Sequence, residues 1–156
     1  MMMKLCCDTL AALAGKTLAT AESCTGGLLG ASLTGVPGAS RVYKGGIISY
    51  WSQIKAKLLD VSEDDLQNLG PVSVEVARQM AAGARNALES DYALSVTGLA
   101  GPEGDGFGRP VGTVFIGLAG DFGTEVEEFH FAGDRDAVRA QAAEAALRML
   151  LNRLRG

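Results

Sequence analysis

Apolar positions along the chain switch between two spacings. Leu5, Leu10, Ala11, Leu13 and Ala14 recur at helical intervals within residues 3–14, and Gly15 stops them. Thr17-Leu18-Ala19-Thr20 is a short apolar run that reads as a strand, and Leu28 to Leu33 is a run of small and aliphatic residues suited to a helix. Thr34-Gly35-Val36-Pro37-Gly38 has the composition of a loop. Val42 to Tyr50, β-branched and aromatic but weakened by Gly45 and Gly46, predicts a second strand. From Trp51 the spacing turns helical, with Ile54, Leu58 and Leu59 on one face and Lys55 off it. Ser62-Glu63-Asp64-Asp65 caps a short helix to Leu69, and Ser73 starts a longer one whose stripe is Val76, Ala77, Met80, Ala81, Ala84 and Leu88.

The second half continues the alternation. Tyr92 to Thr97 is nearly apolar throughout, as expected of a strand covered on both faces. Gly98 to Pro110 is a glycine-rich loop of the kind that is usually functional or mobile inside a compact domain. Strands at Val111 to Leu118 and Glu125 to Phe131 flank Gly120-Asp121-Phe122-Gly123, which predicts a hairpin. A last helix follows Gly133, capped by Asp134, and runs to Leu154. These elements predict a three-layer α/β/α sandwich, about five strands in a mixed sheet with helices on both faces. No linker or repeat interrupts residues 1–156, so one domain is expected.

Composition narrows the functional classes. The 156 residues are 47% hydrophobic, enough for one domain burying about 70% of its unfolded surface. A net charge of −4 weighs against a nucleic-acid surface. The three cysteines lie at Cys6, Cys7 and Cys24, without a Cys-x-x-Cys pair or a histidine cluster. No run is long enough for a signal peptide or a membrane span, so a reducing cytoplasm is the expected setting. The single histidine, His130, makes a Ser-His-Asp triad or a histidine-rich metal site less favoured.

The stretch Ala21-Glu22-Ser23-Cys24-Thr25-Gly26-Gly27 joins a strand to a helix. Most serines and threonines at such a place simply cap the helix. The same place suits a nucleophile: glycines permit a tight turn, and N–H groups without helical partners favour an anion or a developing oxyanion. With histidine scarce, lysine is the alternative base, provided burial or a neighbouring cation brings its pKa from about 10.4 to nearer 7–8. Lys16, Lys44, Lys55 and Lys57 are the candidates, against the ordinary expectation that a lysine is a solvated surface charge. Ser52-Gln53-Ile54-Lys55 also spells the S-x-x-K of penicillin-binding proteins, but S-D-N and K-T-G are missing. Cys24 is a rival nucleophile, since a cysteine at a helix N-terminus can have a depressed pKa.

Several motifs in order carry a family resemblance. Thr20 to Gly27, Gly45-Gly46-Ile47-Ile48-Ser49-Tyr50, Lys55, Thr97-Gly98-Leu99-Ala100-Gly101-Pro102, Pro110 to Val114 and Gly133 to Arg139 resemble the CinA C-terminal domain, which includes stand-alone PncC nicotinamide-nucleotide amidohydrolases. The resemblance implies hydrolysis of the carboxamide of nicotinamide mononucleotide to nicotinate mononucleotide and ammonia, in pyridine-nucleotide recycling, with no metal and no cofactor. It implies Ser23 as nucleophile, with Lys55 and Tyr50 assisting its deprotonation and protonation of the leaving group, and Thr97 in the same pocket. N–H groups of Thr25, Gly26 and Gly27 are expected to bind the oxyanion, and the Gly98–Gly101 turn with Arg135 the substrate phosphate. The expected partner is therefore a small molecule, with neither nucleic acid nor membrane; an apolar N-terminal helix in a small enzyme is compatible with a homo-oligomer. The chain departs from the family pattern at Trp51, where Ser is usual, and at Ser52, where Asn is common. Full-length CinA proteins carry a further N-terminal pyrophosphatase domain, so the resemblance implies the amidase half alone. A nucleotide-binding or interaction module of the same fold with weak turnover is the alternative.

Overall fold

The computed structural model describes residues 1–156. Its elements are α1 (Met2–Ala12), β1 (Leu18–Glu22), α2 (Leu28–Thr34), a short 3-10 turn (Ala39–Arg41), β2 (Tyr43–Ile48) and α3 (Ser52–Leu59). They continue with α4 (Glu63–Leu69), α5 (Val74–Leu88), β3 (Tyr92–Gly98), β4 (Thr113–Gly120), β5 (Gly123–His130) and α6 (Arg135–Arg155). The five strands form one mixed sheet in the order β2-β1-β3-β4-β5. β1 runs parallel to both β2 and β3, while β4 and β5 are antiparallel additions. Helices cover both faces, giving the expected three-layer α/β/α sandwich.

Side-chain alternation along the strands builds two unlike faces. Leu18, Leu94, Val96, Val114, Ile116 and Leu118 meet α1, α2 and α6 in the larger core. The opposite face carries Ala19, Ala21, Ala93 and Ala119 and packs on Val76, Met80, Ala81 and Ala84 of α5. Small strand residues let α5 approach closely enough for the Ser95 hydroxyl to donate to Ala77 O at 2.7 Å, while accepting from Gly117 N at 3.1 Å. Capping follows the sequence: Ser62, Ser73 and Asp134 side chains accept from backbone N–H groups in the first turns of α4, α5 and α6.

Three expectations are corrected. Val111 and Gly112 stay in the loop before β4, with Gly112 in the left-handed region at φ +97°. The β4–β5 hairpin is tighter than the sequence implied, Gly120 pairing directly with Gly123. Leu58 is exposed, and Lys55 takes the inward position with Leu59 one turn on.

The parallel strands bring three chain segments to one edge of the sheet. Glu22 lies opposite Ile48 in β2 and Val96 in β3. Ser23 N then donates to Val96 O at 2.9 Å and Ser49 N to Glu22 O at 2.8 Å, so the residues leaving β1, β2 and β3 sit side by side. In open α/β sheets this C-terminal edge, where connections diverge from a central strand, is where ligands bind.

Candidate active site

Ser23 is the first residue beyond β1 and is 7% exposed. Lys55, from the first turn of α3, is 1% exposed, and its Nζ lies 2.9 Å from Ser23 Oγ. The same Nζ donates to the carbonyls of Ser49 at 2.7 Å and Tyr50 at 3.3 Å. Burial draws the Lys55 pKa down to about 8, because the charged form loses its water. A neutral amine has two N–H groups and one lone pair. Carbonyls only accept, so the two N–H groups occupy Ser49 O and Tyr50 O and leave the lone pair facing the Ser23 hydroxyl. The arrangement therefore lets Lys55 take a proton from Ser23.

The rival nucleophile and the rival base are both disfavoured. Burial pushes the Cys24 thiol up to about 11, the reverse of an activated cysteine. His130 lies on β5, the edge strand, against Glu128 at 2.6 Å and Thr113 Oγ1 at 3.3 Å. Ser52 makes no hydrogen bond to Lys55, whose partners come from Ser23, Ser49 and Tyr50.

Tyr50 contributes through two different atoms. Its carbonyl accepts from Lys55, while its hydroxyl accepts from Arg135 Nη2 at 2.8 Å and meets neither Ser23 nor Lys55. Arg135 opens α6, and its Nη1 donates to Gly101 O at 2.7 Å. It thus ties the glycine-rich loop after β3 to Tyr50. Gly98 and Gly101 have packing reasons to be glycine, since an added Cβ would lie 2.5 Å from Val114 Cγ2 or Val111 Cγ1 respectively. Thr97 is buried and its hydroxyl donates to Pro71 O at 2.7 Å, with no hydrogen bond to Ser23.

The helix end after Ser23 is occupied differently from the sequence expectation. Glu22 is 2% exposed, and its carboxylate accepts from Gly27 N at 3.2 Å and from Leu29 N and Gly30 N at 2.9 Å. Gly26 N donates back to Ser23 O at 3.0 Å. The N–H groups of Gly26 and Gly27 are therefore engaged within the chain and unavailable to an oxyanion, which corrects their assignment. Thr25 N donates to nothing within the chain, and Cys24 N meets only its own thiol. Arg139, on α6, donates from Nε to Cys24 O at 3.0 Å and from Nη2 to Thr25 O at 3.1 Å. Sequence reasoning missed Glu22, Ser49 and Arg139. Strand alternation was the available signal for Glu22, which shares a face with Leu18 and Thr20 and so points toward α2.

Residues 2–154 match the family model described as the CinA C-terminal domain. The chain belongs to that family. Among CinA-family relatives, the CinA-like protein of Geobacter metallireducens is 49% identical over 140 residues, covering 90% of this chain and 34% of its own length. The CinA-like protein of Nostoc sp. is 47% identical over 152 residues, with 90% and 36% covered. The chain thus spans about a third of the length of these curated relatives. A crystal structure of a CinA superfamily protein from Klebsiella pneumoniae superposes with a TM-score of 0.96 at 32% identity, over 99% of this chain and 98% of that one. One from Escherichia coli gives 0.92 at 35% identity, over 97% and 89%.

Proposed function

We propose that the protein is an amidohydrolase that deamidates nicotinamide mononucleotide to nicotinate mononucleotide and ammonia, with residues 1–156 acting as one catalytic domain. The observation that carries this reading is the buried Lys55 amine 2.9 Å from Ser23 Oγ, with its pKa drawn down to about 8. A buried lysine beside a serine, with only carbonyls as its other partners, has no need to exist for packing and suits a general base. Ser23 Oγ attacks the carboxamide carbon as Lys55 takes its proton. The tetrahedral intermediate collapses as Lys55 returns that proton to the departing ammonia. Water, activated by the same amine, then releases the acid from the Ser23 ester.

The rest of the site fits an anionic nucleotide. Arg135 bridges the Tyr50 hydroxyl and Gly101 O, where a phosphate can compete for its guanidinium. Tyr50, half-exposed with its hydroxyl on Arg135, is then an entrance residue for the pyridine ring or ribose and a support for Lys55 through its carbonyl. Thr25 belongs to the oxyanion side; Thr97, Gly98 and Gly101 shape the pocket wall. A weakly active nucleotide-binding module is the second reading, favoured by Arg135 being tied to its own chain and by the solvent-facing Trp51 beside Tyr50, 68% exposed.

Ammonia release from nicotinamide mononucleotide separates them. The wild type is expected to release ammonia with kcat/KM rising toward pH 8 as Lys55 loses its proton. Ser23→Ala and Lys55→Ala, still folded, are expected to abolish release. Binding of the nucleotide without release by the wild type would establish the module instead.

A further inference from the structure

We propose that Arg139 is a positioning residue for this reaction: from α6 it locks the turn after Ser23 so that the N–H groups of Cys24 and Thr25 form the oxyanion site. The proposal rests on the reading of Ser23 as the nucleophile. The Cys24–Thr25 peptide is trans, so its carbonyl and its N–H point in opposite directions. Arg139 Nε holds that carbonyl at 3.0 Å, which aims the Thr25 N–H away from α6. The next carbonyl, Thr25 O, is held by Nη2 of the same guanidinium at 3.1 Å. Ser23 O accepts from Gly26 N inside the turn, which in the same way turns the Cys24 N–H outward. On the turn that follows Ser23, the Thr25 N–H is left without a partner and the Cys24 N–H has only its own thiol. Successive N–H groups of this kind make an anion-binding concavity.

Two further observations support the assignment. Cys24 and Thr25 are buried, and buried N–H groups without a partner are rare unless something else uses them. The Thr25 hydroxyl oxygen is also buried and unpartnered, so the polar groups left over in this turn are concentrated at one residue. The end of α2 offers no alternative, because Glu22 already accepts from Gly27, Leu29 and Gly30. Arg139 reaches the turn through its carbonyls, on the side away from these N–H groups, and so acts through the backbone alone. Its planar fork matches two consecutive carbonyls, which a lysine ammonium does not.

The test compares wild type, Arg139→Lys and Arg139→Gln, with Arg148→Gln as control, since Arg148 pairs only with Glu144 on the exposed side of the same helix. Two rates are measured: ammonia release from nicotinamide mononucleotide, and labelling of Ser23 by an alkyl fluorophosphonate, followed by intact mass. In labelling, Ser23 Oγ bonds to phosphorus, the P–F bond breaks, fluoride leaves and Lys55 takes the proton. The phosphoryl oxygen needs the same N–H groups. Both Arg139 variants are expected to lose about 100-fold in kcat and in labelling rate, with KM within about threefold, as for loss of an oxyanion donor. In Arg139→Gln, millimolar guanidinium chloride restores part of both rates and equal sodium chloride does not. Folded variants with unchanged kcat and labelling overturn the proposal, as does a change confined to KM. Loss of the fold in both variants assigns Arg139 to the scaffold and overturns it too. A wild type that labels at Ser23 without releasing ammonia sinks the substrate, and the labelling rates alone then decide on Arg139. A wild type that does neither overturns the reactive Ser23 and this inference with it.

Discussion

A lysine only 1% exposed is costly to keep charged, and that cost is what suits Lys55 to the proposed role of base. Its helical position did not reveal the burial. Counting apolar residues put Ile54, Leu58 and Leu59 on the inward face and left Lys55 beside it, whereas Lys55 and Leu59 are the buried residues of α3. A lysine reads as polar on any hydropathy count; only the carbonyls of Ser49 and Tyr50, brought in by β2, make its burial tolerable. The position of Ser23 between a strand and a helix, by contrast, was legible in the sequence. The pKa of Lys55 has a stability consequence with a definite sign. Its folded value, about 8, lies below the ordinary 10.5, so between these two pH values the unfolded chain binds more protons. Wild-type stability, referred to a Lys55→Met variant, is expected to rise by about 3 kcal/mol as pH increases through that window and to be flat below it. Urea unfolding of both proteins across the window measures this. A difference that does not change with pH would mean that Lys55 titrates normally and is no base.

At the scale of elements, the turn from β1 into α2 depends on Glu22, which the sequence put in the turn and the structure puts at the end of the strand. α2 has seven residues, too few to persist alone. Gly26 at φ +57° and Gly27 at φ +106° bring the chain back over the strand end, so that the Glu22 carboxylate meets the first N–H groups of α2. Gly30 is needed for the same contact: an added Cβ would lie 3.4 Å from Glu22 Oε2 and 2.7 Å from the Tyr43 hydroxyl. The negative charge at the positive end of the helix adds to the hydrogen bonds. Reading the segment residue by residue gave the Gly27 N–H, with those of Thr25 and Gly26, to an oxyanion, because the return of the chain over Glu22 is a tertiary fact. Glu22→Gln keeps the shape but replaces one acceptor oxygen by an N–H₂ facing other N–H groups. It is expected to lower stability by about 2–3 kcal/mol and to slow Ser23 labelling, as the turn loosens. Chemical denaturation beside labelling reads both; a variant as stable as wild type would show that α2 is held by packing alone.

At the scale of the molecule, the site exists because three parallel strands end at one edge and two helices deliver side chains to it from opposite layers. α3 brings Lys55 from one face and α6 brings Arg135 and Arg139 from the other. The alternation of strands and helices was legible in hydropathy spacing, since each element buries its own periodic stripe. Strand order was not, because pairing between β1 and β3 spans the whole of β2 to α5. Nor was the seat of α3. Gly83 lies at the edge of the apolar stripe of α5, two turns after Val76, and reads as a weak point in a helix, yet an added Cβ there would overlap the Leu59 carbonyl oxygen and lie 2.8 Å from its carbon. The end of α3 rests on that bare backbone, and the direction of α3 sets the reach of Lys55 to Ser23. Gly83→Ala therefore opposes two effects. Helix propensity favours alanine by about 1 kcal/mol. Overlap with backbone cannot be relieved by a side-chain rotation, so α3 must shift, at about 1–3 kcal/mol or more. The clash is expected to win: net stability falls, and ammonia release drops by about tenfold or more, since a shift near 1 Å in a catalytic group costs that much or more. Neither Ser23 nor Lys55 is touched, so the loss isolates placement from chemistry. A Gly83→Ala protein that is more stable and fully active would show that α3 is positioned from β2 and the Lys55 hydrogen bonds, with no support from α5.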